Sequence, residues 1–444
     1  MHKTPARLVA SSFGSLIIVG CLLLLLPVSR TGDGGADFVT ALFTATSAVC
    51  LTGLIVVDTA TYWTHFGQLV ILILIQLGGL GIMTLTTFVS WVLAGRIGVR
   101  SRLHAAAEGR GRQLGEVKGL LLATVSFTFV VETVLGIILT LRFHSYGYDW
   151  PASLWEGTFH SISAFNNAGF SLKSDNLVQF VGDWIIILPI AFAIIIGGLG
   201  FPLLLEFYRR WRARRRRQAP PRFSISGIFV MVGTVTLLTV GFIGTAIIEW
   251  NGVFSHLDTP TKILSAFFHS VSSRTAGFNS VDVGAMHPNS LLLTDILMFI
   301  GGGTGGTAGG MKITTMAVIL AVMVAEVRGD EHVLVHKRRI PNRSVRQAIA
   351  VTVMAGLLVV SAIMLIMLVA PQFDPQRVTF EVVSAFGTVG LSTGITGDLP
   401  KVAQLIIVVL MFAGRIGPVS LVSALASRDS KRLYCYPDER PLIG

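Results

Sequence analysis

Charge is what this chain has least of. Its 444 residues hold 24 acidic and 35 basic side chains, 13% in all, where a soluble domain carries about a quarter. With 52% hydrophobic residues and a mean hydropathy of +0.71, that scarcity excludes an ordinary soluble enzyme. Cysteine is nearly absent: Cys21, Cys50 and Cys435 are an odd set without ligand-like spacing, so neither a disulfide framework nor a zinc site is implied. Catalytic constellations are missing as well. No H-E-x-x-H, no paired aspartates and no Ser/His pair in a convincing context occurs on the apolar runs, so no enzyme is expected. The net charge of +11 sits in short loops between apolar runs rather than along one face, which argues against a nucleic-acid partner.

What the chain has is apolar length. A membrane-spanning helix needs about 20 apolar residues, and eight runs approach or exceed that: Leu8–Val28, Phe66–Leu93, Val117–Leu141, Trp184–Phe207, Ile225–Ile248, Leu291–Val324, Gln347–Val369 and Val402–Leu425. The first has no small-residue cleavage site after it and reads as a retained helix. Between the members of each successive pair lies a segment too short to span, Phe38–Ala48, Pro151–Phe165, Pro260–Ser273 and Pro375–Phe386, which predicts re-entrant half-helices. The loops on one side are basic, from Arg96 to Lys118, Arg209 to Arg217 and Arg328 to Arg346, and both termini share that side. These loops and termini are expected in the cytoplasm of a multi-pass plasma (inner) membrane protein. Arg209 to Arg217 reads as cytosolic topology and contact with lipid headgroups of the surrounding bilayer rather than a dedicated partner site.

The half-apolar segments repeat one another. Phe43, Ser47, Ala48 and Gly53 recur as Phe159, Ser163, Ala164 and Gly169 and as Phe380, Ser384, Ala385 and Gly390. The third copy, Phe268, Ser272, Ser273 and Gly277, is one residue shorter. About 25 residues after each glycine a second cluster follows inside the next run: Gly78–Gly81, Gly197–Gly200, the expanded Gly301–Gly310, and Gly414–Gly417. Each unit is therefore helix, half-helix, glycine loop, helix. All four units start on the same side, so they are parallel copies rather than inverted ones. The expected fold is all-α, with eight transmembrane helices and four half-helices around one central pore. The expected division is 1–95, 112–210, 222–328 and 344–428, with a cytoplasmic tail at 429–444.

Backbone that is not helical is tolerated at membrane depth only where protein buries it or a wet cavity adjoins it. Four such loops around one axis make a pore lining. Glycine accommodates unusual φ/ψ combinations, so Gly53, Gly169, Gly277 and Gly390 let adjacent carbonyls, those of Thr52, Ala168, Ala276 and Val389 among them, replace a cation's water shell. Half-helices aiming their partially negative C-termini at the axis favour a cation.

Seven of the ten residues in Gly301, Gly302, Gly303, Thr304, Gly305, Gly306, Thr307, Ala308, Gly309 and Gly310 are glycine, so the third copy's last helix must break there. The stretch contains G-x-G-x-x-G but follows apolar residues inside a long run rather than a strand, and Met311 separates Gly310 from Lys312, so nucleotide-loop readings fail. It is expected to occlude or open the path beneath the filter. Arg415, near the middle of the last run, is expected to face the pore and, with Lys312, to set an electrostatic barrier; a structural ion pair with Glu132 is the other reading. Arg274 is expected to pair with an acid behind its loop, Asn166 and Asn167 to brace theirs, and His160 and His269 to make half-helix contacts rather than bind metal.

With these residues in view, the chain resembles the Trk/Ktr/HKT superfamily of potassium transporters, most closely the KtrB-type membrane subunits of bacterial Ktr systems, over essentially its whole length. The resemblance rests on Thr52-Gly53-Leu54, Asn166-Asn167-Ala168-Gly169-Phe170, Arg274-Thr275-Ala276-Gly277-Phe278, Thr388-Val389-Gly390-Leu391, the stretch Gly305 to Lys312, and Gly414-Arg415. It implies a potassium filter with one glycine per repeat, an intramembrane gating loop at Gly301–Gly310 beside Arg415, and a homodimer. It also implies a cytosolic ring of nucleotide-binding regulatory subunits, KtrA-like or TrkA-like, with sodium affecting activity in some members. No fused nucleotide-binding domain is expected, so such regulation would need a separate subunit. Larger Trk membrane subunits carry extra N-terminal helices, and none is expected ahead of the first run here, which favours the Ktr assignment. Glycine at all four filter positions is the pattern expected for potassium over sodium. No cofactor is expected, potassium being the transported ion. The competing reading is an ion-coupled, alternating-access carrier of a small solute, for which Glu132 and Arg415 are among few polar candidates.

Overall fold

A computed structural model describes the backbone of residues 5–95 and 114–417 and the side chains of 9–81 and 122–417. The basic residues Arg96 to Arg112, Cys435 and the 429–444 tail lie outside the described residues. In chain order the helices are α1 (Pro5–Leu24), α2 (Phe38–Cys50), the single turn α3 (Thr59–Tyr62), α4 (His65–Gly95), α5 (Leu114–Ser145), α6 (Trp150–Phe165), α7 (Trp184–Leu199) and α8 (Phe201–Arg215). The second half holds α9 (Ile225–Glu249), α10 (Thr259–Ser272), α11 (Pro288–Phe299), α12 (Ile313–Arg328), α13 (Asn342–Val369), α14 (Pro375–Gly387) and α15 (Lys401–Ile416).

The short helices α2, α6, α10 and α14 fall within a few residues of the four predicted half-helices, and their starts have a local cause. Asp37, Asp149 and Asp374 occupy the N-cap and accept hydrogen bonds from the backbone N–H groups of Val39, Ala152 and Arg377. Asp258 holds the same position before α10 without that bond. Pro151, Pro260 and Pro375 lie in the first turn, where a missing N–H leaves no hydrogen bond unmade.

By length and apolar composition, α5, α9 and α13 can each cross a membrane among the described residues, and α7 with α8 qualify as a pair bent by 95°. The run expected to span from Trp184 to Phe207 is thus not one straight helix: it turns at Gly200, which has φ +87°. The run Leu291–Val324 is likewise divided into α11 and α12 by residues 300–312, the break that the glycine run predicts. By contrast α4 continues through Gly78–Gly81. A two-residue hairpin, β1 (Leu334–Val335) with β2 (Arg338–Arg339), joins α12 to α13 and departs from the all-α expectation. His336 and Lys337 at its tip both have positive φ, the backbone of a tight antiparallel turn.

The outer faces are apolar. Ile137, Val235, Ile247, Val353, Leu357 and Met364 on α5, α9 and α13 are exposed, the pattern of helices whose solvent is lipid. The inner faces form two large clusters. One unites α1, α2, α4, α13, α14 and α15 around Phe43, Phe380 and Phe386, and the other unites α5, α6, α7 and α10 around Phe143, Ile187 and Phe268. The repeated phenylalanines Phe43, Phe159, Phe268 and Phe380 are all fully buried, so each anchors its short helix in the core.

Candidate functional site

Each short helix delivers its C-terminus straight into a loop with one backbone pattern. Leu51, Asn167, Thr275 and Thr388 are left-handed, and two residues later Gly53, Gly169, Gly277 and Gly390 are left-handed again, at φ +84°, +72°, +77° and +96°. Between them sit Thr52, Ala168, Ala276 and Val389. The helix ends are tied to these loops locally: Thr52, Ala168 and Val389 donate their N–H groups to the carbonyls of Ser47, Ser163 and Ser384 at 2.8, 2.8 and 2.9 Å. In the shorter third copy Ala276 donates to the Ser272 carbonyl at 3.0 Å. In the second, third and fourth loops the serine hydroxyls add a second tie. That of Ser163 donates to the Phe170 carbonyl at 2.8 Å, that of Ser272 donates to the Phe278 carbonyl, and that of Ser384 accepts from the Gly390 N–H at 3.1 Å. The recurring serine was visible in the sequence, but its role as a loop tie was not.

The four loops close on one another. A Cβ on Gly53 would fall on the Ala168 carbonyl oxygen and lie 3.1 Å from the Gly169 Cα. One on Gly169 would meet Ala276 and, at 3.1 Å, Gly277; one on Gly277 would meet Val389 and, at 3.0 Å, Gly390. A Cβ on Gly390 would meet Thr52 and return, at 3.0 Å, to Gly53. All eight predicted filter residues thus come together in a single cycle, and no side chain fits between successive loops.

Behind the second loop, Asn166 donates from Nδ2 to Glu132 Oε1 at 2.9 Å and to Gln76 Oε1 at 3.0 Å, while Gln76 donates to Glu132 Oε2 at 3.1 Å. Glu132 is therefore occupied by amides and is not the partner of Arg415. Asn167 reaches Thr275 of the next loop at 3.5 Å. Arg274 lies buried behind its own loop, but it donates to the Thr234 carbonyl at 3.3 Å rather than to the expected acid. His160 contacts the Glu156 carbonyl at 2.8 Å and Ser171 at 3.0 Å, and His269 contacts Thr294 at 2.9 Å, the half-helix contacts expected of them. A buried carboxylate that the sequence reading passed over, Glu381 of α14, accepts from Ser392, Thr393 and Thr396 and pins the chain leaving the fourth loop. An acid inside a half-helix followed by Ser-Thr-x-x-Thr was the available signal.

The second glycine clusters seat the spanning helices against the short ones. Gly78, Gly197 and Gly414 abut the carbonyls of Val49, Phe165 and Phe386, leaving no room for a Cβ. The Gly301–Gly310 segment lies between the α7 break and the fourth loop. Gly303 and Thr307 donate to the Gly198 and Gly197 carbonyls at 2.8 and 3.2 Å, and Gly301 donates to Met311 at 2.7 Å. Gly305 accepts from Phe201 at 3.4 Å. Gly309 and Gly310 pack on Thr388 and Gly387. Two cations pin consecutive carbonyls: Arg415 donates to Thr307 and Lys312 to Ala308. Thr304 shares a hydrogen bond with Thr314 at 2.9 Å, while Gly302 and Gly306 pack against the Gly198 and Gly197 carbonyls. All twelve residues singled out from this region are thereby brought to one place, with Arg415 buried.

Apolar helices on the outside and short helices converging on a closed backbone ring define a multi-pass helical membrane protein. The chain belongs to the TrkH family of cation transport proteins, whose pattern it matches over residues 22–433. It is 38% identical over 443 residues to the Ktr system potassium uptake protein B of Bacillus subtilis (strain 168), covering 99% of this chain and 97% of that one. It is 36% identical to the protein of the same name from Vibrio alginolyticus, covering 99% and 94%. Its identity to the potassium/sodium uptake protein NtpJ of Enterococcus hirae is 34%, covering 99% and 97%. The crystal structure of the potassium transporter TrkH from Vibrio parahaemolyticus shares the fold, with a TM-score of 0.73 at 18% identity over 96% of this chain and 85% of that one.

Proposed function

We propose that this protein takes up potassium across the plasma membrane through the ring formed by Gly53, Gly169, Gly277 and Gly390. The observation that carries this reading is the cyclic closure of the four loops. Left-handed residues at alternate positions aim the carbonyls around Thr52, Ala168, Ala276 and Val389 at the axis, where they replace the water shell of a weakly hydrated monovalent cation. The half-helix C-termini add partial negative charge at the same level. Side-chain oxygens of Thr52, Asn167, Thr307 and Thr388 near the ring are buried without a hydrogen-bond partner among the described residues, spare acceptors for the waters of a passing cation. The Gly301–Gly310 segment, packed against Thr388, acts as the gate, and Arg415 and Lys312 hold it and repel cations beneath the ring. The names of the relatives as potassium uptake proteins support the choice of ion, and their description as parts of a Ktr system supports a partner subunit. On this reading the chain works as a homodimer of fourfold pores with a cytosolic nucleotide-binding ring on its basic face and both termini in the cytoplasm.

The test is growth of a potassium-uptake-deficient bacterium at micromolar to millimolar potassium, with and without a co-expressed regulatory subunit, together with rubidium uptake. Wild type is expected to restore growth, and Gly53, Gly277 or Gly390 changed to Ser to shift uptake toward sodium. No uptake from correctly inserted protein with its regulator present would overturn the reading in favour of an ion-coupled carrier.

A further inference from the structure

The 95° turn at Gly200 sends α8 away from the direction of α7 and gives it two unlike faces. Phe207, Tyr208 and Trp211 are exposed on one side, the composition of a helix lying in a membrane interface. Glu206, Arg209 and Arg210 line the other. There they meet Arg222 and Phe223 of the segment leading into α9, and Arg338 of the β1–β2 hairpin, around a cavity of about 210 Å³. Four arginines and one carboxylate face this space. Arg210 is fixed by donating to the Pro221 carbonyl at 2.6 Å and stacking 4.1 Å from the Phe223 ring centroid. Arg338 donates to the Phe223 carbonyl at 3.3 Å. Glu206 does not neutralise these guanidinium groups; it accepts from the Ser224 hydroxyl at 2.6 Å and from the Ser224 N–H at 3.2 Å.

We propose that this cavity is a binding site for the phosphate of an anionic phospholipid. Arginine forks match phosphate oxygens bidentately, and a water takes up only about 30 Å³, so the space admits a phosphate with some of its waters. The aromatic face of α8 selects a lipid over a soluble anion, because it sets the helix at headgroup depth, where basic pockets between membrane helices meet lipid phosphates. Arg222 and Arg338 come from different segments, so the lipid ties the α8–α9 connection to the α12–α13 hairpin.

The experiment is native mass spectrometry of the purified full-length protein titrated with phosphatidylglycerol or phosphatidylcholine. Wild type is expected to retain one phosphatidylglycerol in preference to phosphatidylcholine. Arg222→Gln with Arg338→Gln is expected to weaken that first binding by about tenfold, whereas Arg216→Gln with Arg217→Gln, equal in charge but outside the cavity, leaves it unchanged. Glu206→Gln, which keeps an acceptor for Ser224 while removing the repulsion, is expected to strengthen binding by about threefold, a sign that misfolding does not produce. Equal loss in both double variants, or weaker binding in Glu206→Gln, would overturn the site. So would displacement of the lipid by inorganic phosphate or ATP, which would make it a soluble-anion site, or phosphatidylglycerol retained no better than phosphatidylcholine while an acidic cytosolic subunit binds through these arginines.

Discussion

At the ring, Gly53, Gly169, Gly277 and Gly390 share one left-handed conformation and one relation to the next loop, whereas the seven glycines of Gly301–Gly310 share neither. Only Gly305 and Gly310 of that stretch are left-handed, and their neighbours come from α7, α8 and the fourth loop. The difference lies in what holds each region. A ring loop is tied chiefly to its own short helix by a serine carbonyl a few residues away, with a serine hydroxyl added in three of the four, so its shape is local and repeats wherever the sequence repeats. The 301–310 segment has local bonds as well, among them Gly306 to Gly303 and Lys312 to Ala308, but its course is also set by bonds to Gly197, Gly198 and Arg415, which are distant in sequence. Glycine at the ring specifies one shape; glycine in the segment removes helix propensity and leaves the shape to neighbours. A structure held by its neighbours is the one that a single distant side chain can release.

The largest expected effect breaks the ring itself. Gly390→Ala places a Cβ on the Thr52 carbonyl in a conformation that costs an L-residue about 1–2 kcal/mol even without the clash. Rubidium uptake should fall steeply relative to sodium uptake and the melting temperature should drop; potassium-selective uptake at wild-type rates would show that the ring is not the path. Next, Arg415→Gln removes the cation from the Thr307 carbonyl, a charge-assisted bond of about 1.5–3 kcal/mol. Uptake is expected to rise several-fold and to depend less on the regulatory subunit. Unchanged flux from a well-folded variant would remove Arg415 from gating and make the two glycine regions alike.

A smaller effect is expected at Glu132→Gln, which sets an amide NH2 group against the Gln76 or Asn166 donor. Stability should fall by about 1–3 kcal/mol, read by thermal melting, with potassium-over-sodium preference reduced because the second loop loses its brace. If preference falls as far in a variant distant from any loop, the local account of ring shape is wrong. Smallest is the surface pair between Asp37, the N-cap of α2, and Lys401 at the start of α15, 2.9 Å apart and largely exposed. The Lys401 hydrogen bond holds the Asp37 carboxyl below its ordinary value. Its contribution is therefore present above the unfolded-state pKa of about 3.9 and is lost as pH falls through the lower folded value. Asp37→Asn should lower stability at pH 7 by less than about 1 kcal/mol, and less in 1 M salt. An equal deficit at pH 2 would assign the effect to the cap rather than to the ion pair.

The short helices and the ring were legible because their causes are local. Phe, Ser and Gly recur at matched offsets, and the aspartate caps and early prolines mark the starts of the short helices. The bend in the run from Trp184 was not legible, since Gly78–Gly81 and Gly197–Gly200 are nearly the same sequence while α4 continues and α7 turns. What distinguishes them is Pro202, which sits in the first turn of α8 where a helix restarts, and the neighbour: Gly200 packs against Thr304, Gly305 and Gly306, a contact that the glycines alone do not dictate. The partners of Arg274, Glu132 and Arg415 were equally out of reach. A buried charge announces itself in an apolar run, but which carbonyl or amide satisfies it depends on helices that are distant in sequence.

Local chemistry along the chain specifies a membrane protein of helices, four short helices ending in glycine loops, a break at Gly301–Gly310 and the family to which the chain belongs. Hydrophobic length, capping and the φ range open to glycine act within a few residues and need no tertiary context. Packing, by contrast, settles that the four loops close in the order 53, 169, 277, 390. Packing also brings Arg415 onto the Thr307 carbonyl and turns α8 to line an open basic cavity with Arg222 and Arg338. Those outcomes depend on packing and on long-range hydrogen bonds, whose partners a linear pattern does not encode.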